Sequence, residues 1–350
     1  MTLKTELTKV RKQLQECSRP IFLFDDDPDG LSAFLLLYRM VQAGKGIPLK
    51  GLQLDEAQAK RINEYSPDLV VVLDKPEVSQ EFFSAIRTKC IWIDHHEPQN
   101  PKGITYINPR IEDAKRNIST SQLCYEITNE SPWIAVIGIV ADWQLPPKEL
   151  WELCEEKYPG YLPLDTKDAP TALFTTKIGE LARVFSFNLK GKTSEVLTAL
   201  KILTRIKGPS ELLEKKHSQA KLVMKKYEQR LAEYKQILGS IEVKKEDPLL
   251  LYTYSHEKNS YTVDISNELM YKHPEKIIII ARQSNGSYKC SLRASTIRVD
   301  KLLEEVFQTI DGTGGGHEHA CGAVIPVEAF ESFVETVREK LSEKELDKRA

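Results

Sequence analysis

Apolar positions in the first half of the chain gather into short continuous runs, and several of these runs end in acidic residues or histidine. Leu3, Leu7, Val10 and Leu14 fall at helical spacing and predict an amphipathic first helix that Pro20 stops. Residues 21–24 predict a strand, and residues 31–41, apolar on nearly every side, predict a helix covered by other layers. A second strand is expected at 49–54 and a helix at 56–65. The β-branched run at 69–73 has the pattern of a parallel strand buried on both faces. A helix at 82–89 and strands at 90–93 and 105–107 continue the alternation of a doubly wound α/β domain. Residues 133–141 form an apolar run, helix or strand, buried up to its polar end at Asp142. From 146 to about 204 the pattern is mostly helical, broken around Tyr158-Pro159-Gly160.

Gly208-Pro209-Ser210 marks a boundary, with Ser210 as N-cap of a long helix at 211–238. That helix carries Lys215, Lys216, Lys221, Lys225, Lys226, Arg230 and Lys235. They form either a solvated interdomain face or a rail for a nucleic-acid backbone. Beyond Gly239, strands at 249–254, 276–281 and 287–293 and helices at 263–271, 299–307 and 327–341 predict a smaller α/β unit. The expected fold class is therefore α/β: a doubly wound, mostly parallel sheet domain joined by a long helix to a smaller α/β substrate-binding domain. The expected boundaries are 1–207, 208–240 for the connecting helix, and 241–345.

Composition narrows this only slightly. A chain of 350 residues with a net charge of −2 exerts no global pull on nucleic acid or membrane, so any polyanion site must be local. Six cysteines are scattered with no Cys-x-x-Cys pair, as in a reduced cytoplasmic protein. The N-terminus is polar, which predicts no secretory leader, and no run is long enough to predict a membrane span.

The chemistry lies where the strands end. The first strand runs into Asp25-Asp26-Asp27-Pro28-Asp29-Gly30, the 69–73 run into Asp74, and the 90–93 run into Asp94-His95-His96. Asp-Pro-Asp-Gly also suits a solvated turn. Three successive strand ends carrying Asp, Asp and Asp-His-His point instead to a cation site at the carboxyl edge of the sheet. Aspartates with a histidine suit Mn²⁺ or Mg²⁺ better than structural zinc, and the set is large enough for two ions. Two ions about 3.5–4 Å apart would clamp the attacking and leaving oxygens of an in-line phosphoryl displacement. Adjacent side chains point apart, so one of His95 and His96 would bind metal while the other orients or protonates a phosphate. The loop at 311–319 holds Gly314, Gly315, Gly316 and His317, either an anion cradle or a flexible connector. Arg293 is either a bidentate phosphate or carboxylate ligand or a surface ion pair.

Together these motifs resemble the DHH phosphoesterase superfamily and its associated C-terminal domain. The residues that carry the likeness are Asp25-Asp26-Asp27-Pro28-Asp29-Gly30, Asp74, Asp94-His95-His96, Asp142, Ser291-Leu292-Arg293 and Gly314-Gly315-Gly316-His317-Glu318-His319-Ala320-Cys321-Gly322. The aspartate-rich first motif and Gly138-Ile139-Val140-Ala141-Asp142 are most like the RecJ branch, and the length is similar to archaeal RecJ-like nucleases or nanoRNases. The resemblance implies metal ligation by Asp27, Asp29, Asp74, His95 and Asp142, with Asp94 and His96 as catalytic residues. It implies that Arg293, Gly314, Gly315, Gly316 and His317 grip a phosphate of the nucleotide. Leu23 stands where many members have a histidine, and Asp25 is the residue that would supply that ligand. The implied cofactors are two divalent ions, Mn²⁺ preferred or Mg²⁺.

The implied partners are single-stranded DNA or RNA or short oligonucleotides, with replication or repair proteins such as GINS. Three functions remain in competition: a RecJ-like single-strand exonuclease, a nanoRNase-type oligonuclease or small-nucleotide phosphatase, and a non-catalytic replication scaffold.

Overall fold

The computed structural model describes residues 2–51, 53–255 and 259–347. The chain forms two compact units, Met1–Glu228 and Gln229–Ala350.

The first unit opens with α1 (Leu3–Glu16), whose buried residues are Leu3, Leu7, Val10 and Leu14, the four the spacing singled out. Next come β1 (Pro20–Asp25), α2 (Pro28–Val41), β2 (Lys45–Leu49), α3 (Glu56–Asn63), β3 (Leu69–Leu73), α4 (Gln80–Ala85), β4 (Lys89–Ile93) and β5 (Thr105–Ile107). The strands pair in parallel in the order β2-β1-β3-β4-β5. Alternate residues divide the two faces. Ile21, Leu23, Val70, Val72, Cys90 and Trp92 pack with Ala59 and Ile62 of α3 and Phe82 and Phe83 of α4. On the other face Phe24 stacks on Phe34 of α2 at 4.9 Å. Helix α2 is buried continuously from Asp29 to Leu37, as its apolar run predicts.

The helices that follow are α5 (Thr120–Thr128), α6 (Pro132–Ala141), α7 (Lys148–Lys157), α8 (Ala169–Thr175), α9 (Lys177–Leu189), α10 (Thr193–Leu203), α11 (Pro209–Leu213) and α12 (Ser218–Gly239). The unit boundary falls inside α12. Its first part buries Tyr227 against Phe187 at 5.9 Å. In the second unit Tyr234 Oη donates to Glu268 at 2.6 Å.

Three sequence expectations change here. The strand expected at 49–54 lies upstream, at Lys45–Leu49, with residue 52 outside the described residues. Pro48 is accommodated because β2 is an edge strand. The helix expected at 82–89 ends at Ala85, because Ile86 is extended. The helix expected at 211–238 is two helices, α11 and α12, separated where Lys215 takes a left-handed φ of 52°. Gly208, not Ser210, caps α11, and His217 Nδ1 accepts from Ala220 N at the start of α12.

The second unit contains β6 (Leu249–Ser255), α13 (Thr262–Lys272), β7 (Ile277–Ser284), β8 (Ser287–Arg293), α14 (Val299–Val306), β9 (Thr313–His317), β10 (Ala320–Pro326) and α15 (Phe330–Asp347). The sheet order is β6-β7-β8-β10-β9, parallel only between β6 and β7. One sheet face packs on α14 and α15 through Ile279, Leu292, Ile325, Leu302 and Phe333. The glycine-rich loop of the sequence reading is the edge strand β9, and its partner β10 was not anticipated. Glycine carries no β-propensity signal, but a Cβ at Gly314 would meet Gly322 O at 2.5 Å, and one at Gly316 would meet Ala320 O at 2.4 Å. None of the described helices is long and apolar enough to cross a membrane.

Candidate metal centre

The order β2-β1-β3 places a topological switch point between β1 and β3, and an open parallel sheet leaves a crevice at the carboxyl ends of such strands. β1 delivers Asp25. Asp27 follows as the N-cap of α2, its Oδ1 accepting from Gly30 N at 2.9 Å. Gly30 is required there, since a Cβ would lie 2.7 Å from Asp25 O. Asp29, in the first turn of α2 and 2% exposed, accepts from the first amides of α5: Thr120 N to Oδ2 at 2.8 Å and Ser121 N to Oδ1 at 3.0 Å.

β3 delivers Asp74, also 2% exposed, in a left-handed conformation with φ 57°. Its amide extends the ladder to Ile93 O at 2.9 Å, and Thr120 Oγ1 donates to its Oδ1 at 3.1 Å. β4 delivers Asp94-His95-His96. His95 lies between two carboxylates, Nε2 3.5 Å from Asp74 and Nδ1 3.7 Å from Asp142, with Asn117 Oδ1 at 3.1 Å. Asp142 caps α6, and Gln144 Nε2 donates to it at 2.7 Å. His96 Nδ1 is 2.8 Å from the fully buried Asp94, which also accepts from His96 N at 3.0 Å and Asn108 Nδ2 at 3.3 Å.

Donor atoms of Asp74, His95 and His96 lie within 4.8 Å of one another, as do those of Asp29, His95 and Asp142. Asp25 and Asp27 belong to neither group; Asp25 Oδ1 instead meets Lys75 Nζ at 3.1 Å. Arg293, Gly314, Gly315, Gly316 and His317 lie in the second unit. There Arg293 is in register with Ala320, and Ala320 with His317. Arg293 Nε donates to Asn267 Oδ1 at 2.7 Å, and its Nη1 to the carbonyls of Leu292 at 2.8 Å and Cys321 at 3.2 Å.

Sequence reasoning did not find the amides of Thr120 and Ser121, nor Asn108, Asn117 and Lys75. A signal for α5 was present: Ser119-Thr120-Ser121-Gln122 is a capping-box pattern, and Ser119 Oγ accepts from Gln122 N at 3.3 Å.

The electrostatics are those of crowded, buried carboxylates around one histidine. Burial, then the charges of Asp74 and Asp142, push Asp29 up to about 8. Burial raises Asp142 to about 6 against the pull of His95, and raises Asp27 well above its ordinary value. Burial opposes protonation of His95, but Asp74 and Asp142 overcome it and raise the imidazole to about 11. Burial would likewise raise Asp74, yet His95 holds it below the carboxylate norm. Buried carboxylates with one histidine and no thiolate fit a hard divalent cation such as Mn²⁺ or Mg²⁺.

This has a consequence for stability. A carboxyl raised from about 4 binds its proton more tightly folded than unfolded, so folding stability falls as pH rises toward the folded value. His95 acts in the same sense, its contribution draining away as pH rises through about 11. In EDTA the thermal midpoint should therefore fall from about pH 4 to 8, with Asp142 contributing up to about 6 and Asp29 up to about 8. Saturating Mn²⁺ should flatten that decline. A midpoint in EDTA that rises over the interval would contradict the assignment.

Residues 21–150 match the DHH family, N-terminal domain, and residues 249–343 match the DHHA1 domain. The fold is similar to RecJ from Thermus thermophilus in complex with Mn²⁺: 15% identity, TM-score 0.67, covering 97% of this chain and 55% of that one. It is similar to an exonuclease RecJ bound to manganese, with 16% identity, TM-score 0.66, 98% of this chain and 94% of that one covered. It also resembles a pGpG-specific phosphodiesterase from Vibrio, with 14% identity, TM-score 0.51, 93% and 99% covered. This chain thus spans little more than half the length of the Thermus RecJ. A search of curated proteins returned no match. With the two domain matches in sequence order, the chain belongs to the DHH phosphoesterase superfamily.

Proposed function

We propose that the protein is a divalent-cation-dependent phosphodiesterase that removes nucleotides from the end of single-stranded DNA or RNA. The observation that carries this reading is the convergence of buried Asp29, Asp74 and His95 with half-buried Asp142 at the switch point. Asp27, Asp29, Asp74, His95 and Asp142 would hold the cations. Cations held there would supply Lewis-acid stabilisation of the charge that builds on the phosphoryl oxygens.

The remaining chemistry belongs to the chain. Asp94 accepts at His96 Nδ1 and fixes the ring, so that Nε2 is the nitrogen that would meet a substrate. Burial opposes the imidazolium of His96, but Asp94 outweighs it and raises the pKa. His96 is thus biased toward donating a proton from Nε2 to a phosphate oxygen, and Asp94 acts through it as a positioning residue. Asn108 holds Asp94 in turn. In the second unit, Arg293, His317 and the amides of Gly314–316 would bind a phosphate of the substrate.

A second reading, hydrolysis of substrates only a few nucleotides long, is favoured by fold similarity across 99% of the Vibrio pGpG-specific phosphodiesterase. DNA and RNA strands of graded length, labelled at either end and digested with Mn²⁺, separate the two. A nuclease shortens long strands stepwise from one labelled end. An oligonuclease loses rate as length grows. Binding without hydrolysis at any length would overturn both and leave a non-catalytic scaffold.

A further inference from the structure

Asp25 of the first motif is paired with a cation that the protein itself supplies. Lys75 Nζ lies 3.1 Å from its Oδ1, with the two side chains only 14% and 32% exposed. The backbone dictates this pairing. β1 and β3 are parallel neighbours with Phe24 opposite Leu73, so Asp25 and Asp74 come next to each other where the strands end. Asp74 then turns the chain through its left-handed φ of 57°. The indole N–H of Trp92, itself fully buried, donates to Lys75 O at 3.1 Å and pins the turn. Lys75 is thereby directed back across the strand ends onto Asp25.

We propose that Lys75 competes with a divalent cation for Asp25, so that the acidic centre fills in two steps of unequal affinity. The inference rests on the metal-centre reading above and assigns a role to Lys75 within it. Asp29, His95 and Asp142 converge without Asp25, so the first cation binds with the Lys75–Asp25 pair intact. A second cation drawing on Asp25 must first displace the ammonium. A compact point charge on a flexible stem can yield, but it lowers the net gain from the incoming ion. Activity that needs both positions would then follow the weaker one, and Lys75 would set the cation concentration at which the enzyme switches on.

The test is calorimetric titration of the chelator-stripped full chain with Mn²⁺, with bound manganese counted by elemental analysis. The parent should show a tight and a weaker phase. Lys75→Met should tighten the weaker phase by about tenfold, or ~1.4 kcal/mol. Lys75→Arg, which keeps the charge, should retain two separated phases. Asp25→Asn should keep only the tight phase. A Lys75→Met isotherm superimposable on the parent's would overturn the competition, as would a parent that already fills two equivalent positions. A parent that binds no Mn²⁺ would sink the metal-centre reading itself, a result distinct from either.

Discussion

Asp74→Asn should leave a folded protein that hydrolyses phosphodiesters at least roughly a thousandfold more slowly, about 4 kcal/mol of transition-state stabilisation. The substitution is nearly isosteric, and asparagine tolerates the left-handed φ of 57° that Asp74 adopts, so the backbone has no reason to rearrange. What disappears is the negative charge at the point where β1, β3 and β4 deliver their residues. Asp74 Oδ1 is shared between Thr120 Oγ1 at 3.1 Å and His95 Nε2 at 3.5 Å. Without the charge, His95 loses one of its two carboxylate neighbours and any cation loses a buried ligand. The check is steady-state hydrolysis alongside a Mn²⁺ titration: both should fail together while circular dichroism is unchanged. Near-parental hydrolysis would remove Asp74 from the centre.

Gly138→Ala should be nearly as damaging, although the position carries no chemistry. A Cβ on Gly138 of α6 would lie 2.4 Å from Ser121 Oγ, 2.6 Å from Ser121 Cβ and 2.9 Å from Asp29 Oδ1. Asp29 is fixed by two amides of α5, and both helices pack against α2, so the surroundings have little room to give. Overpacking of this kind costs about 1–3 kcal/mol. Displacing a ligand by roughly an ångström costs on the order of a hundredfold in rate. The expected result is a lowered thermal midpoint together with a rate loss of that size. If the midpoint falls while the rate holds, Gly138 matters to packing alone.

The parallel sheet was legible because β1, β3 and β4 are short apolar runs, and because each of these three leads into residues that can ligate. Burial on two faces erases the alternation that would blur such runs, so the β-branched stretch at 69–73 could be assigned directly. The strand at Lys45–Leu49 was obscured by Gly46 and Pro48, which argue against a strand until the edge position is known. β9 was hidden for a similar reason: three glycines carry no propensity, and the close approach of β10 explains Gly314 and Gly316 but not Gly315. At the site, the ligand candidates were visible as motifs, whereas their supports were not. Thr120 and Ser121 are 91 and 92 residues from the aspartate they hold. Lys75 follows Asp74 in sequence, but where it points depends on a single dihedral angle that no composition reveals.

Asp29 has a further consequence, one for descent. Its carboxylate is at once a candidate ligand and the acceptor that terminates the amides opening α5. A descendant chain that gave up catalysis would be free to lose His96, but it could not drift at Asp29 without stranding two buried donors. An acidic residue surviving at this position in an inactive relative would therefore testify to the architecture of the first unit and would be poor evidence of enzyme activity.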